Sequence, residues 1–260
     1  MTMTMVKKMG AKKQEWEERG KKDVIIELQD VKKTYLMGEV KVNALNGVNL
    51  KIRKGEFVAI IGPSGSGKST MLQMIGCLDV PSAGVVKLDN INITELSESD
   101  LAQLRCKKIG FVFQNFNLIP ALTALDNVIL PMMFHDFQKR EREYIAKELL
   151  TKFGLQKRLY HKPTELSGGE QQRVAIARAL ATNPDVILAD EPTGNLDLKS
   201  GKEIMNLLSH LNKEEKKTLI IVTHERFIAE YADRVVRLMD GKIVWSGPKE
   251  EVRWNEIKKK

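Results

Sequence analysis

The feature that most constrains the fold is a glycine-rich loop between an apolar run and a helical pattern. Residues Gly62–Ser69 match G-x-x-x-x-G-K-[ST] at every fixed position. Before this loop, Phe57–Ile61 is a continuous apolar run, typical of a strand that is buried on both faces. After it, Ser69–Ile75 has a helical pattern. This order of strand, glycine-rich turn and helix predicts a site for a nucleoside triphosphate.

Each residue type in the loop has a use in phosphate binding. Glycines let backbone N–H groups turn toward phosphates without a Cβ in the way, and the helix N-terminus adds the positive end of its dipole. We expect Lys68 to contact the β- and γ-phosphates, Ser69 to place its hydroxyl on Mg²⁺, and Thr70 to donate to the α-phosphate. The predicted nucleotide contacts are Gly62, Pro63, Ser64, Gly65, Ser66, Gly67, Lys68, Ser69 and Thr70.

A second apolar run ends in two acidic residues. Val186–Ala189 is followed directly by Asp190 and Glu191. Ligands of open α/β sheets bind at the ends of such strands. We expect Asp190 to hold Mg²⁺ through its water shell and Glu191 to point its carboxylate at the attacking water, because phosphoryl transfer needs an oriented nucleophile.

Two further polar residues follow predicted strands. Gln114 comes directly after Ile109–Phe113, and His224 comes two residues after Leu219–Val222. We expect Gln114 to contact Mg²⁺ or the attacking water, and His224 to reach the γ-phosphate. These residues and Glu191 form the predicted catalytic set.

Strand and helix patterns alternate along the chain, which favours an α/β fold with a central parallel sheet. Shorter, turn-rich strands indicate an added antiparallel β part, and residues from about 115 to 165 form a mostly helical subdomain inserted between core strands. The other predicted strands are Val24–Leu28, Val48–Ile52, Val85–Leu88, Val235–Met239 and Ile243–Trp245. The other clear helices are Lys139–Phe153, Gly169–Thr182 and Ser200–Asn212.

The net charge of +8 includes lysines near both ends of the chain. We interpret residues 1–22 as a flexible basic extension and residues 23–260 as the folded domain, with attraction to anionic lipid as an alternative use of the extension. The lysines lack the repeated aromatic residues of a nucleic-acid stacking surface. We therefore expect no nucleic-acid partner.

The sequence also bears on where the protein works. No apolar run approaches the roughly 18 residues that a membrane-spanning helix needs, and no secretory signal pattern is present. Cys77 and Cys106 are interpreted as reduced core thiols, because no Cys/His cluster accompanies them. We expect a soluble, cytoplasmic protein.

The segment Leu166–Glu170, followed by Gln171-Gln172-Arg173, resembles the signature motif of ABC-type ATPases. Physically, a serine and two glycines before a helix make a second anion-binding helix start. The resemblance covers nearly all of residues 24–246. It implies an ATP-dependent, head-to-tail homodimer around two ATP, in which the motif contacts the ATP of the other subunit. The implied contacts are Ser167, Gly168, Gly169 and Glu170.

The same resemblance assigns further roles. Tyr35 matches the aromatic residue that stacks on adenine, and Gln114 matches the Q-loop glutamine. Glu191 matches the catalytic base and His224 the switch histidine. Asn195–Asp197 matches the loop that couples the two sites across the dimer, so Asp197 is included among the nucleotide-binding residues.

One signature position departs from the common pattern. Glu170 stands where many members of the family carry Gln, although some subfamilies have Glu there too. The groups that face phosphate are Ser167 and the glycine backbone, so we expect ATP binding to survive this difference.

Four segments are similar to the lipoprotein-release and macrolide-export group of ABC ATPases, with a cell-division ATPase as a close cousin. They are Tyr35–Val40, Met74–Asp79, Phe111–Pro120 and Leu188–Asp197. This similarity implies an integral membrane permease as partner, which handles a small-molecule or lipid/peptide substrate for export or mechanical release. The ATPase would then lie peripherally on the inner face of the cell membrane.

The resemblance places the permease-docking groove at about Gln114–Pro131. The implied docking residues are Asn115, Phe116, Leu118, Ile119 and Pro120.

Two other functions would also use a phosphate-binding loop. A soluble ABC ATPase that acts on nucleic acid or ribosomes would suit the positive charge, but the chain has one ATPase unit and no long coiled-coil insertion. A kinase or GTPase would need an acceptor pocket or a guanine-reading N-K-x-D motif. Neither is visible, and this second interpretation leaves Leu166–Glu170 unexplained.

Overall fold

Two β-sheets form the framework of the computed structural model, which describes residues 23–252 and 254. The strands are β1 (Val24–Met37), β2 (Val40–Arg53), β3 (Phe57–Ile61), β4 (Ala83–Leu88), β5 (Ile91–Asn92), β6 (Ile109–Phe113), β7 (Val186–Asp190), β8 (Thr218–Thr223), β9 (Arg234–Met239) and β10 (Lys242–Pro248). The predicted basic extension, residues 1–22, and the three terminal lysines lie outside the described residues.

Seven α-helices accompany these strands within the described residues. They are α1 (Lys68–Ile75), α2 (Glu98–Lys108), α3 (Ala124–Ile129), α4 (Lys139–Lys152), α5 (Gly168–Leu180), α6 (Leu198–Lys213) and α7 (Arg226–Ala229). Short 3₁₀ turns cover Ile93–Glu95, Leu130–Phe134, Pro163–Glu165 and Lys249–Glu251. The four clearest predicted helices are all present, with ends that differ by no more than two residues.

The larger sheet has six strands in the order β10-β9-β3-β8-β7-β6. Strands β9, β3, β8, β7 and β6 run parallel to one another, and β10 is an edge strand antiparallel to β9. The smaller sheet has four antiparallel strands in the order β2-β1-β4-β5. This arrangement confirms the predicted α/β fold with a parallel centre and an added antiparallel part.

The apolar run of β3 explains why the fold has three layers. All five residues of β3 are buried. Because successive side chains of a strand point to opposite faces, Phe57, Ala59 and Ile61 join one core, while Val58 and Ile60 join another. Helices α4, α5 and α6 cover the first core, and α1 with the antiparallel sheet covers the second.

The antiparallel sheet extends further than the sequence indicated. The predicted Val24–Leu28 and Val48–Ile52 are the inner parts of two 14-residue strands, β1 and β2. Register shifts interrupt the period-two alternation of β1, and all four residues of the paired segment Val40–Asn43 of β2 are exposed. Tyr35 therefore lies within β1.

The region from 115 to 165 contains α3, α4 and two short 3₁₀ turns. Asn127 is fully buried and fastens the start of this region: its Oδ1 accepts from the Ile119 N–H at 2.8 Å, and its Nδ2 donates to the Thr123 carbonyl at 3.0 Å. Buried residues of α3 and α4 belong to the same core as the larger sheet. The division into a separate subdomain stays a prediction.

The two cysteines differ in environment. Cys77 is free and buried, and burial raises the pKa of its thiol to about 11. Cys106 is free and only half-buried, so its interpretation as a core thiol is wrong. Its segment is a polar helix that packs one side on the sheet, a placement that composition does not reveal.

No helix among residues 23–252 and 254 is long and apolar enough to cross a bilayer.

We predict that Gly110→Ala destabilises the protein by about 1–3 kcal/mol, the usual cost of overpacking a core. A Cβ at Gly110 would lie 2.2 Å from the Ala179 carbonyl oxygen, where α5 packs on β6. Gly201→Ala is the matched control, because its Cβ would lie at an ordinary 3.5 Å from Thr193 and alanine favours helices. Urea unfolding measures both; equal stability of Gly110→Ala and wild type would contradict the close packing.

Candidate functional site

The glycine-rich loop leaves β3 and turns directly into α1, as predicted. A Cβ at Gly62 would lie 2.2 Å from the Leu238 carbonyl oxygen and 2.6 Å from the Ser66 hydroxyl oxygen, so only glycine fits there. Gly67 precedes α1 with φ of 99°, a left-handed conformation that glycine adopts at little cost. The Ser66 hydroxyl is buried and has no hydrogen-bond partner among the described residues. The loop thus has a buried polar group without a partner.

Lys68 folds back over this loop. Its Nζ donates to the carbonyls of Gly62, at 3.0 Å, and Pro63, at 2.8 Å, and the residue is only 8% exposed. Burial lowers the pKa of Lys68, while the charges of Glu191 and Asp190 oppose that shift. Neutral carbonyls compensate a buried cation poorly, so an anionic ligand would suit this position.

Asp190, at the end of β7, lies beside the loop. Burial and then the charge of Glu191 raise the pKa of Asp190, while a hydrogen bond with Ser69 and the charge of Lys68 oppose the increase. A carboxylate beside a hydroxyl is a set of hard oxygen donors that suits Mg²⁺. Within the described residues, no group of three or more His, Cys, Asp or Glu is arranged to hold a metal. The donors present fit an ion that takes most of its ligands from phosphate and water.

Glu191 contacts His224 across the ends of β7 and β8. The distance from His224 Nδ1 to Glu191 Oε1 is 2.8 Å. Glu191 has φ of 44°, a left-handed conformation that costs a non-glycine residue about 1–3 kcal/mol. Hydrogen bonds hold this turn, since its N–H donates to the Val222 carbonyl at 2.9 Å and its carbonyl accepts from the Gly194 N–H at 3.0 Å.

Gln114 lies at the same edge of the sheet. It follows Phe113, which is paired in register with Asp190 on the adjacent parallel strand. The Gln114 carbonyl accepts from Asn195 Nδ2 at 3.1 Å, and the same amide donates to Asn115 Oδ1 at 2.8 Å. The structure therefore brings the loops that carry Gln114, Glu191 and His224 together, as the strand ends predict.

The signature segment begins α5 with reciprocal hydrogen bonds. The Ser167 hydroxyl accepts from the Glu170 N–H at 3.2 Å, and Glu170 Oε2 accepts from the Ser167 N–H at 2.8 Å, forming a capping box. Glu170 Oε1 accepts from Arg158 Nε at 3.0 Å. The pKa of Glu170 is lowered, first by the hydrogen bond from the Ser167 backbone and further by Arg158, against an opposing effect of burial.

Asp197 caps the next helix, α6. Its Oδ1 accepts from the N–H groups of Lys199, at 2.9 Å, and Ser200, at 3.0 Å, and Oδ2 accepts from the Ser200 hydroxyl at 2.6 Å. These Ser200 hydrogen bonds are the main cause that lowers the pKa of Asp197. A Cβ at Gly168 would lie 3.3 Å from Leu196 Cδ2, so the start of α5 is packed beside this cap.

Tyr35 is tied to the end of α1 rather than standing free. Its hydroxyl donates to Asp79 Oδ2 at 3.0 Å, and Lys33 Nζ lies 2.6 Å from Asp79 Oδ1 and 5.1 Å from the centre of the Tyr35 ring. Burial and then the hydrogen bond to Asp79 raise the pKa of Tyr35, while a hydrogen bond with Thr70 opposes the shift. Tyr35 thus lies next to the predicted nucleotide contacts.

A sequence model of the ABC transporter family matches residues 45–194. The chain is also 55% identical, over 223 residues, to MJ0796, an uncharacterized ABC transporter ATP-binding protein of Methanocaldococcus jannaschii, and this match covers 84% of the chain and 95% of that protein. The chain belongs to the ABC transporter family. It is an ATPase of that family, which decides against the kinase and GTPase interpretations.

One solved structure and one further relative bear on the assembly of this ABC ATPase. The chain resembles a dimeric structure of a post-hydrolysis state of the ATP-binding cassette MJ0796 bound to ADP and Pi, with a TM-score of 0.80, 52% identity and coverage of 86% of the chain and 98% of that structure. It is 48% identical over 224 residues to the macrolide export ATP-binding/permease protein MacB of Syntrophobacter fumaroxidans. That match covers 84% of the chain and 31% of MacB.

Sequence reasoning about this ABC ATPase missed two contacts next to its predicted site residues. Gln172 is fully buried on α5, and its Nε2 donates at 2.6 Å to the carbonyl of Pro192, which follows Glu191. Arg158 pairs with Glu170 from a turn twelve positions earlier. The S-x-x-E spacing of Ser167 and Glu170 signals the capping box, but nothing local signals either long-range partner.

We predict that Asp190→Asn makes the nucleotide-free ABC ATPase more stable at pH 7. The pKa of Asp190 is raised in the folded protein, so its ionisation above the unfolded pKa costs stability. That cost is absent below about pH 3.9, where the residue is protonated in both states. Urea unfolding across a pH series should show a gain that grows as pH rises.

Asp89→Asn is the control of opposite sign. The hydrogen bond with Lys108 is the main cause that lowers the pKa of Asp89, so its contribution to stability is present above the unfolded pKa and is lost as pH falls. This variant should be less stable than wild type at pH 7. A loss of stability in Asp190→Asn at pH 7 would contradict the destabilising burial of that carboxylate.

Proposed function

We propose that this chain is the ATP-binding and ATP-hydrolysing subunit of a transporter, which dimerises around two ATP and drives an integral membrane permease. The observation that carries the proposal is the presence of two helix starts suited to phosphate in one chain. One is the loop Gly62–Gly67 before α1, and the other is Ser167 before α5. The dimeric structure of the MJ0796 cassette supports an assembly of two copies, in which these helix starts would combine.

In the proposed site, Lys68 exchanges its two carbonyl contacts for the β- and γ-phosphates. Gly62–Thr70 would hold the phosphate chain, and Tyr35 would stack on adenine. Ser69, Asp190 and Gln114 would hold Mg²⁺, which neutralises charge on the phosphate oxygens when bound. The observations that support this set are the hydrogen bond of Asp190 with Ser69 and the nearby charge of Lys68.

Glu191 would orient the water that attacks the γ-phosphorus, so that the bond to the ADP oxygen breaks and phosphate is released. An ionised Glu191 can only accept a hydrogen bond, so its contact with His224 requires a proton on Nδ1. A His224 that keeps this contact and also donates to the γ-phosphate would carry protons on both ring nitrogens. His224 thus positions the carboxylate in the proposed mechanism and senses the phosphate.

Across the proposed dimer, Ser167, Gly168, Gly169 and Glu170 would face the ATP that the other copy holds. Asp197 would couple the two sites, because its cap on α6 packs beside the start of α5.

A groove of about 280 Å³ supports permease docking. It is lined by residues from α2, β6 and α5, including Arg105, Cys106, Phe111, Phe113 and Arg178, and by Asn117 of the loop after β6. Arg178 Nη2 donates to the Phe116 carbonyl at 2.8 Å, which holds the start of the predicted Gln114–Pro131 docking segment in place.

Exposed apolar side chains also occur in this segment and in the 3₁₀ turn that overlaps its end. They are Ile119, Met133 and Phe134, with exposed fractions of 39%, 57% and 76%. Such side chains suit a protein partner. We infer that a permease occupies this face, which would hold the subunit peripherally on the cytoplasmic side of the membrane. The match to a macrolide export protein supports export of a small molecule as its task, and a lipid or peptide substrate stays a prediction.

We predict that Glu191→Gln binds Mg·ATP, turns over at least about a hundredfold more slowly, and accumulates as an ATP-dependent dimer, because the water loses its carboxylate while the phosphate contacts remain. Light scattering with and without ATP measures the dimer, and phosphate release measures turnover. Lys68→Ala is the control, which should lose nucleotide affinity and remain monomeric. A Glu191→Gln protein that stays monomeric with saturating ATP would contradict the sandwich arrangement.

We predict that Ile119→Asp weakens retention on membranes that contain the permease while the ATPase activity of the free subunit is unchanged, because a charge in an apolar docking face must be desolvated. Val244→Asp is the matched control, since Val244 is 51% exposed on edge strand β10. Co-sedimentation of each variant with native membranes measures retention. Equal retention of both variants would count against docking at this face, and retention by nucleic acid instead of membranes would favour the permease-free alternative.

A further inference from the structure

We propose that Arg158 is a positioning residue for ATP-dependent dimerisation, which neutralises Glu170 and thereby lets the start of α5 receive the phosphate of a second copy. The inference rests on the proposed function, in which Ser167 faces the partner's ATP. It adds a residue outside the signature segment and gives a reason for the departure at Glu170.

The contacts of Glu170 leave neither of its carboxylate oxygens free. Oε2 accepts from the Ser167 N–H at 2.8 Å, and Oε1 accepts from Arg158 Nε at 3.0 Å. The side chain of Glu170 is only 19% exposed. The carboxylate is therefore held between the backbone of α5 and one guanidinium.

Arg158 is itself fixed by a tight turn. Its N–H donates to the Leu155 carbonyl at 2.8 Å, its carbonyl accepts from the His161 N–H at 3.0 Å, and its Nη1 lies 3.2 Å from His161 Nε2. Since an arginine cannot accept a hydrogen bond, this last contact places the acceptor role on His161 Nε2. The guanidinium is thus aimed at Glu170 by its own neighbours.

The charge of Glu170 has two opposite effects at this helix start. A carboxylate in the first turn stabilises the helix through its dipole, and the lowered pKa of Glu170 means that it is ionised at neutral pH. The same charge repels an incoming phosphate, and it also interacts with the Ser167 hydroxyl, the group that would donate to that phosphate. A glutamine at this position would cap the helix without the repulsion.

Arg158 weakens the repulsion between Glu170 and the incoming phosphate, and it leaves the favourable interaction of Glu170 with the helix dipole in place. An ion pair at 3.0 Å cancels most of the field of the carboxylate at the distance of a phosphate outside the helix. It also satisfies the carboxylate, so that the Ser167 hydroxyl can turn its proton outward. The ion pair of Arg158 with Glu170 contributes little to the free energy of folding, because the Arg158 side chain is 43% exposed and exposed ion pairs stabilise proteins only weakly.

The test compares ATP-driven dimerisation in a Glu191→Gln background, by sedimentation equilibrium at saturating Mg·ATP. Arg158→Met should weaken the dimer about tenfold or more, because each of two sites then carries an uncompensated carboxylate near phosphate. Arg158→Lys should retain most of the affinity, since it keeps the charge. Lys152→Met removes a different cation, one paired with Glu215 at 2.5 Å, and should leave dimerisation unchanged.

Three readouts separate charge compensation from a general structural role. Adding Glu170→Gln to Arg158→Met should restore dimerisation to near the parent value, because no carboxylate remains to be compensated. Raising the salt concentration from about 0.05 M to about 0.5 M should narrow the gap between Arg158→Met and its parent, since salt screens the repulsion. Urea midpoints of all variants should stay close to the parent.

Dimerisation of Arg158→Met equal to that of its parent overturns the inference, and so does an Arg158→Met, Glu170→Gln double change that remains as weak as Arg158→Met alone. Both results would leave the proposed function intact, because the parent still dimerises. A parent that does not dimerise with ATP overturns the proposed function and this inference together.

Discussion

The register of the parallel strands is the constraint on which the site depends. Backbone hydrogen bonds align Ile61 with Thr223, Val222 with Asp190, and Asp190 with Phe113 across β3, β8, β7 and β6. The loop after each strand therefore begins at the same edge, although the residues are far apart in sequence. A slip of one residue would move each side chain of such a strand from one core to the other. Because both cores are closely packed, that exchange would create cavities and clashes, so packing on both faces also keeps the site aligned.

Burial of the charged groups Lys68 and Asp190 at this edge of the larger sheet is unfavourable. Burial favours the neutral form of both Lys68 and Asp190, and each is returned toward its charged form by the other. The turn at Glu191 is held in a left-handed conformation, and the Ser66 hydroxyl has no partner among the described residues. These features give a site that is set in place before the ligand arrives, and phosphate with its metal would supply the missing partners.

Sequence patterns predict those parts of the molecule whose conformation is determined by neighbouring residues in the chain. The apolar runs of β3, β7 and β8 fix their strands, and the loop after β3 fixes the phosphate site. The outer half of β1 was not predicted, because its polar residues are ordered by pairing with β2 and not by burial. The contacts of Gln172 and Arg158 were not predicted for a related reason. Their partners, Pro192 and Glu170, come near them only in the packed fold.

Helix α5 links features that the sequence presents as separate motifs. Its start carries Ser167 and Glu170, and Gln172, two residues after Glu170, donates to the backbone beside Glu191. Because a helix of 13 residues packed in the core moves as a rigid element, a shift of its N-terminus is felt at the Pro192 carbonyl. In the proposed dimer, the element that meets the ATP of one copy therefore also holds the catalytic turn of the other site, so that neither site is independent of its neighbour.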